Sequence, residues 1–300
     1  MSAASDTERP KPACLAPRAT MAPVGQALPA GAWDTHFHIL GPQARFPYSA
    51  GRKYTPPDAS IEQYRRVQRA LGLSGGLVVH ANTHGFDNRV DLDAIGQLGR
   101  GSHFAVVRVD ASVSAEKVAA WQAQGVRGVR FAFNPQHGGE LDRALLLKAV
   151  ELIRPCGWFV ELHMAAEDLL DLSPWLSTLD IRLVIDHIGR IDVSLGTDQP
   201  AFDALQALVG KRDVWVKLSG VDRISKAGPP YPDVLPFARQ LMRLAPQRML
   251  WGSDWPHTGV FDPERMPDDG GLVNFIAEYA PTDALRRALL VDNPRRLIGL

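Results

Sequence analysis

The sequence has little cysteine, no excess of charge of either sign and no long apolar segment. Cysteine occurs only at positions 14 and 156, so a disulfide framework is not expected and a reducing cytoplasm is the expected compartment. Lysine plus arginine and aspartate plus glutamate both number 33, which removes any general electrostatic argument for binding nucleic acid or membranes. The longest apolar runs, such as 145–147, are far shorter than the roughly 20 residues that span a bilayer.

Composition separates an amino-terminal arm (1–31) from the rest of the chain (32–300). The arm is rich in alanine and proline and has no sustained apolar stretch after a basic start. We therefore expect it to be a partly ordered extension that lies over the domain or a neighbouring subunit, and not a secretory signal. The remainder has the length of a single α/β barrel.

From position 33 onward the chain repeats a short β-branched run, a polar or glycine-containing loop and an amphipathic segment. The pattern predicts eight strands, over 33–39, 77–82, 104–109, 128–133, 159–164, 182–186, 214–218 and 249–253. Helices are predicted between them, for example over 60–71, 114–124, 141–153, 200–208 and 234–244. Eight such units predict a (β/α)8 TIM barrel. The alternative is an open doubly wound sheet, but no Gly-x-Gly-x-x-Gly follows an early strand.

Active sites of such barrels lie at the carboxyl ends of the strands, and polar residues concentrate there in this chain. His36 and His38 end the first strand, and because alternate strand residues share a face, both side chains are expected to point the same way. The later strand ends carry Asn82 and His84, Arg130, Glu161 and His163, Asp186 and His187, Lys217, Ser219 and Arg223, and Asp254. Imidazole and carboxylate groups converging from opposite ends of a chain indicate hydrolytic chemistry, with or without a metal.

These residues lie within longer motifs whose order is specific. Through these motifs and their order, the chain resembles members of the amidohydrolase superfamily, in the branch that includes 2-pyrone-4,6-dicarboxylate lactonases and sugar-lactone relatives. The resemblance extends from position 33 to 297 and rests on segments 34–42, 52–56, 84–88, 125–131, 184–190, 215–219, 250–257 and 292–294. It implies a hydrolase that opens a lactone bearing carboxylate groups, a small-molecule substrate from aromatic or sugar-acid catabolism.

The resemblance also implies roles for individual residues. Asp254 matches the general base that takes a proton from water, and His36, His38 and His187 match histidines that surround the carbonyl and polarise it. Arginines at Arg130 and Arg223 would hold substrate carboxylates. The further candidates for substrate contact are Tyr54, Asn82, His84, His163 and His257.

Each of these side chains also has a structural alternative. The arginines can be structural, His163 can fill the barrel interior as a hydrogen-bonded neutral ring, and His84 and His257 can face solvent. Tyr54 can pack against the arm. The dicarboxylate lactonase pattern also continues its fourth strand into a further basic residue, whereas this chain reads Phe-Ala-Phe-Asn-Pro-Gln-His over 131–137, so one expected carboxylate clamp is missing or replaced.

The sequence leaves the metal open. The dicarboxylate lactonases resembled here work without a bound divalent metal and have no histidine at the end of strand five, so we predict no cofactor. His163 keeps an alternative open, a single zinc or manganese ion on a ligand set of His36, His38, His163, His187 and Asp254. A two-metal centre is not expected, because Arg130 and Phe131 stand where a bridging ligand would be needed.

Other reactions on the same scaffold also stay open. A lactone isomerase would use Asp254 to move a proton without adding water, and a metal-dependent decarboxylase would hold a carboxylate-bearing ring. A pure binding protein would not need His36, His38, His187 and Asp254 to converge. The expected assembly is a monomer or a small homo-oligomer.

Overall fold

The computed structural model describes residues 10–133, 140–211 and 213–300 and contains one parallel eight-stranded sheet. In sequence order the strands are β1 (Trp33–Phe37), β2 (Gly75–Val79), β3 (His103–Val107), β4 (Val126–Ala132), β5 (Phe159–His163), β6 (Arg182–Ile185), β7 (Val214–Lys217) and β8 (Met249–Leu250). Thr35 N donates to Trp251 O at 3.0 Å and Asp254 N donates to His36 O at 2.7 Å. The chain after β8 therefore closes against β1, which confirms the predicted (β/α)8 barrel.

Helices follow the strands as predicted. They are α1 (Ile61–Leu71), α2 (Arg89–Leu98), α3 (Ala115–Gln124), α4 (Arg143–Ile153), α5 (Ala166–Leu176), α6 (Pro200–Gly210), α7 (Val221–Ile224), α8 (Leu235–Leu244), α9 (Asp269–Tyr279), α10 (Asp283–Arg287) and α11 (Asn293–Leu297). The five example helices are all confirmed. The strand predictions run one to three residues past the observed carboxyl ends, because the residues there already belong to the loops that follow the strands.

The barrel interior is built in two layers. The lower layer is apolar and includes Trp33, Phe159 and Trp215, and Leu297 of α11 belongs to the same buried cluster. Glu161 stands two residues after Phe159 and Lys217 stands two after Trp215, so strand alternation places them on the same inner face, one level higher. The interior is thus apolar at one end and charged at the end where the site forms.

Helix α1 fixes the strand that carries the paired histidines. Ser60 begins the helix with a capping box, in which its side chain accepts from Gln63 N and its own N–H donates to the Gln63 side chain. Tyr64 then stacks on Phe37 with ring centroids 3.6 Å apart and donates its hydroxyl to Asp34 at 3.2 Å. Ring stacking and a buried hydrogen bond from Tyr64 therefore both hold β1 in place.

The described part of the amino-terminal arm, residues 10–31, lies against the barrel. Thr55 N donates to Pro12 O at 2.8 Å, Cys14 N donates to Thr55 O at 3.1 Å and Leu15 N donates to Val260 O at 2.8 Å. Both cysteines are free thiols. Within the described residues, no helix is long and apolar enough to cross a membrane.

Candidate active site

A cavity of about 620 Å³ opens at the carboxyl ends of the strands. Most residues predicted for the site line it, namely His38, Tyr54, Asn82, Arg130, His163, His187, Arg223 and Asp254. His36 lies just beneath the floor and is fully buried. The cavity therefore lies at the end of the barrel where active sites of this fold are found, because the loops that follow the strands form its walls.

The carboxylate of Asp254, which follows β8, lies beside the two histidines at the end of β1. Its Oδ1 atom lies 3.3 Å from His38 Nε2 and 3.5 Å from His36 Nε2. Its other oxygen accepts from Arg223 Nε, and Arg223 Nη1 also donates to Thr258 O at 2.9 Å. Burial alone would raise the pKa of Asp254, but the Arg223 guanidinium and the nearby His187 hold that pKa well below its usual range. Asp254 is therefore a fixed carboxylate with one oxygen turned toward the histidines.

The orientation of His38 is set by the backbone of the neighbouring strand. Its Nδ1 lies 2.6 Å from the carbonyl oxygen of Val79, and because a carbonyl can only accept, Nδ1 carries the proton. A neutral His38 ring then presents the lone pair of Nε2 toward Asp254. His36 packs edge-on against His38, with ring centroids 5.0 Å apart, so the paired histidines do approach a common point.

A second buried carboxylate ties β1 to the loop after β8. Asp34 accepts from Ser253 N at 2.9 Å, Ser253 Oγ at 2.6 Å and His36 N at 3.0 Å. Burial raises the pKa of Asp34 to about 6 despite these bonds. Gly252 completes the junction, because a Cβ there would lie 2.5 Å from the Cβ of His36.

His187 enters the cavity from the loop after β6. Its backbone is left-handed, with φ 52°, and its Nδ1 lies 2.9 Å from Ser219 Oγ. Gly220 makes room for the ring, since a Cβ at that position would lie 2.6 Å from Nδ1. Burial lowers the pKa of His187 to about 3, so the ring is neutral across the physiological range.

A layer of buried charges supports these groups from below. Arg130 donates to Asp186 at 2.9 Å, to His80 O at 3.1 Å and to His163 Nδ1 at 2.9 Å. Lys217 donates to Glu161 at 2.5 Å. Burial raises the pKa of Glu161 to about 7. Asp186 is also buried, but His36, Lys217 and Arg130 hold its pKa well below the usual range.

These contacts bear on the roles predicted for the arginines. The guanidinium of Arg130 is bonded within the protein, and that of Arg223 is paired with Asp254, so neither is an open clamp. Arg190 was not singled out from the sequence, yet it lines the cavity. Among residues 10–133, 140–211 and 213–300, no hydrogen bond or ion pair is recorded for its side chain. Burial and the nearby Arg223 lower its pKa, and its position three residues after His187 was the available sequence signal.

The remaining predicted residues fall into two groups. Tyr54 lines the cavity and donates to Thr258 Oγ1 at 2.8 Å. Asn82 also lines it, and its buried Oδ1 has no hydrogen-bond partner in the described part of the chain. His84 and His257 are buried outside the lining residues, with His84 3.4 Å from Pro47 O and His257 3.1 Å from Asp269. The strand-four continuation at 134–137 lies outside the described residues.

Two groups of described side chains have potential metal ligand atoms within 4.8 Å of one another. One consists of His36, His38 and Asp254, and the other of His36, Asp186 and His187. His163 belongs to neither, although its ring lies 5.2 Å from that of His187. Its Nδ1 faces a guanidinium that can only donate. The five-residue ligand set considered from the sequence is therefore not assembled as one group.

The sequence matches the amidohydrolase family over residues 33–300. It is 46% identical to the 4-sulfomuconolactone hydrolase of Hydrogenophaga intermedia, covering 96% of this chain and 95% of that protein. It is 41% identical to the 2-pyrone-4,6-dicarboxylate hydrolase of Comamonas testosteroni, covering 90% of each. The D-galactarolactone isomerase of Agrobacterium fabrum is 33% identical, over 91% of this chain and 93% of that one.

The fold is also found in solved structures. A crystal structure from Agrobacterium tumefaciens superposes with a TM-score of 0.82 at 32% identity, covering 91% of this chain and 97% of the other. Sequence and structural relatives thus each cover at least nine tenths of the chain.

Proposed function

The chain belongs to the amidohydrolase family, and on that premise we propose that it hydrolyses a lactone that carries an anionic substituent. The observation that carries the proposal is the placement of Asp254 Oδ1 against His36 and His38 at the floor of the cavity. Two relatives at 46% and 41% identity are named as hydrolases of lactones with sulfonate or carboxylate groups.

The reaction follows from the arrangement of these groups. Asp254 accepts a proton from a water molecule, and the water oxygen forms a bond to the lactone carbonyl carbon. The neutral imidazoles of His36 and His187 donate hydrogen bonds to the developing oxyanion. The ring C–O bond then breaks, its oxygen takes the proton held by Asp254, and the product is a carboxylic acid with a hydroxyl or enol group. One water is added in total.

Asp254 suits this role because of where its two oxygens point. Arg223 holds one oxygen, so the other stays directed toward the histidines and the cavity. The low pKa of Asp254 keeps it ionised in the free protein. An anionic substrate that also binds the Arg223 guanidinium would weaken the electrostatic effect of Arg223 on Asp254. The pKa of Asp254 would then rise, and Asp254 would become a stronger base.

The anionic substituent is assigned to the basic side chains of the cavity. Arg190 and Lys53 line the cavity, and the half-buried Arg190 guanidinium has no hydrogen-bond or ion-pair partner in the described ranges. A planar guanidinium holds a carboxylate or sulfonate through parallel hydrogen bonds, which also fixes the ring for attack. Tyr54 and Asn82 add neutral hydrogen-bonding groups to the lining of the same cavity.

The charges of the site disfavour a metal in this reaction. Three carboxylates lie within 4 Å of the His36 ring, on Glu161, Asp186 and Asp254, and they pair with three cationic groups, on Arg130, Lys217 and Arg223. This buried cluster is already balanced, so a divalent ion on His36, His38 and Asp254 would add uncompensated positive charge. The ligand types are present, but their surroundings do not fit the ion, and we assign a metal-independent hydrolysis.

A lactone isomerase is the second candidate. It is favoured by the 33% identical relative that is named D-galactarolactone isomerase and by the proton-accepting pair of His38 and Asp254. The metal-dependent decarboxylase has no comparable support, because it requires the ion that the charge balance disfavours.

Product mass distinguishes these reactions. We would incubate the protein with 4-sulfomuconolactone, 2-pyrone-4,6-dicarboxylate and D-galactarolactone, with Asp254→Asn as the control. Hydrolysis adds the mass of water to the expected anionic lactone, isomerisation leaves the mass unchanged and decarboxylation removes carbon dioxide. Turnover of none of them, or an unchanged mass throughout, would overturn the proposed hydrolysis.

A further inference from the structure

Lys217 is a fully buried ammonium directly beneath the site. Its Nζ atom lies 2.5 Å from Glu161 Oε2, 3.0 Å from His36 Nδ1 and 3.6 Å from Asp186 Oδ1. An ammonium has three protons to donate and no lone pair to accept with. Three acceptors around one ammonium therefore satisfy Lys217 without water.

The contact with His36 decides where that ring carries its proton. Because Lys217 can only donate, His36 Nδ1 has to accept, and in a neutral ring the proton then sits on Nε2. Asp186 Oδ1 lies 3.3 Å from the same Nδ1 and is the acceptor that would stabilise the opposite tautomer. The shorter distance to the ammonium favours the Nε2–H form.

His38 has the opposite arrangement two residues further on. Val79 O is acceptor-only and lies 2.6 Å from its Nδ1, so His38 carries a proton on Nδ1, and in a neutral ring its Nε2 is the lone pair. Both Nε2 atoms face Oδ1 of Asp254. One neighbour is thus a donor toward the carboxylate and the other is an acceptor.

We propose that Lys217 is a positioning residue that holds His36 in the Nε2–H tautomer and thereby gives His36 and His38 different tasks. His36 donates a hydrogen bond at the reacting centre, whereas His38, with Asp254, receives the proton of the attacking water. This division rests on the proposed hydrolysis and deepens it. The Nε2–H form also removes His36 as a metal ligand at that atom, which leaves His38 and Asp254, fewer than the three protein ligands usual in catalytic zinc sites.

The tautomers can be measured directly in the unmodified protein. Long-range ¹H–¹⁵N correlation spectra of protein labelled with ¹⁵N-histidine distinguish the protonated ring nitrogen from the one with a lone pair, and His36→Gln and His38→Gln spectra assign the two rings. We expect Nε2–H for His36 and Nδ1–H for His38. A wild-type His36 with its proton on Nδ1 would overturn the proposal.

Substitution of Lys217 tests the cause. Lys217→Met alone leaves two buried carboxylates short of a cation, so the matched variant combines Lys217→Met with Glu161→Gln and removes one charge of each sign. His36 should then move its proton to Nδ1 and donate to Asp186, while His38 should not change. Glu161→Gln alone retains the ammonium and should retain Nε2–H on His36. An unchanged His36 in the double variant would show that Lys217 does not set the tautomer.

Kinetics give a second, separate readout. The double variant should lose at least about tenfold in kcat with KM changed by less than about threefold, because the lost group acts through His36 and not on substrate binding. The spectra do not depend on turnover, so they test Lys217 even if none of the lactones is a substrate. A shifted tautomer with unchanged kcat would overturn the catalytic division while leaving the positioning intact.

Discussion

Asp254 Oδ1 and His38 Nε2 are two acceptor atoms 3.3 Å apart at the floor of the cavity. In the proposed hydrolysis, the proton that leaves the attacking water is taken up by Asp254 and can be shared with His38 Nε2 across this distance. Such a pair is formed by residues 216 positions apart in the sequence, which the closing of the barrel brings together.

Replacing the base should abolish most of the turnover. Asp254→Asn preserves the shape of the side chain but removes the proton acceptor, so kcat should fall at least about a hundredfold with the fold retained. Steady-state kinetics and circular dichroism measure both effects. Asp262→Asn, which removes a carboxylate from the exposed rim of the same cavity, should stay within about threefold of wild type. Near-normal kcat in Asp254→Asn would rule out the assignment.

Arg190 and Arg130 should respond differently to the same substitution. Arg190→Met removes a guanidinium that faces the cavity, so KM for an anionic lactone should rise at least about tenfold, with little change for a neutral lactone. Competition by dicarboxylic inhibitors is a second measure. Equal losses for charged and neutral lactones would show that Arg190 does not bind the anionic group.

Arg130→Met should instead act on stability. The substitution removes one of the two buried cations that Asp186 and Glu161 pair with and leaves them to share Lys217. Such a loss of a buried charge partner costs on the order of 3–5 kcal/mol in free energy of unfolding. Urea denaturation compares the two variants directly. If Arg130→Met unfolds like wild type and only weakens binding of anionic lactones, Arg130 is the clamp that its sequence position predicts.

The contrast between these arginines shows what the sequence can predict. Repetition of β-branched runs predicted all eight strands, because each strand is a local pattern. The roles of Arg130 and Lys217 are not local, since they depend on partners such as Asp186 and His36 that lie 56 and 181 positions away. A motif places Arg130 at a strand end but does not say whether its guanidinium faces the substrate or a buried carboxylate.

The same limit applies to Arg190. Its segment was recognised as part of a family motif, but the residue reaches the cavity from a loop in which its own backbone is left-handed, with φ 55°. Neither hydrophobic period nor residue type predicts such a turn in a residue other than glycine. Sequence therefore predicted which strand ends border the cavity, and the structure was needed to separate cavity residues from supporting ones.

His103 should make stability depend on pH. Burial lowers its pKa from 6.5 to about 4, so the folded state binds its proton less readily than the unfolded state. The neutral His103 ring therefore contributes stability that is fully present above pH 6.5 and is lost as the pH falls toward 4. This loss in free energy of unfolding is on the order of 3 kcal/mol at most.

His103→Gln isolates this effect, because glutamine is neutral throughout and can still form hydrogen bonds with Gln68 and Ser102. Urea denaturation between pH 7.5 and 4.5 should show that wild type loses more stability on acidification than the variant does. Parallel pH dependences for the two proteins would contradict a buried neutral His103.

Removal of metal should leave the hydrolysis intact. If the balanced charges around His36 exclude a divalent ion, protein purified without added metal or affinity tag and treated with a chelator should retain its kcat, with metal content well below one ion per chain. His163→Ala should then be milder than His187→Ala, because His163 bonds to Arg130 whereas His187 lies beside Asp254 and His36. Activity that disappears with the chelator, returns with zinc and is abolished by His163→Ala would establish a metal-assisted mechanism instead.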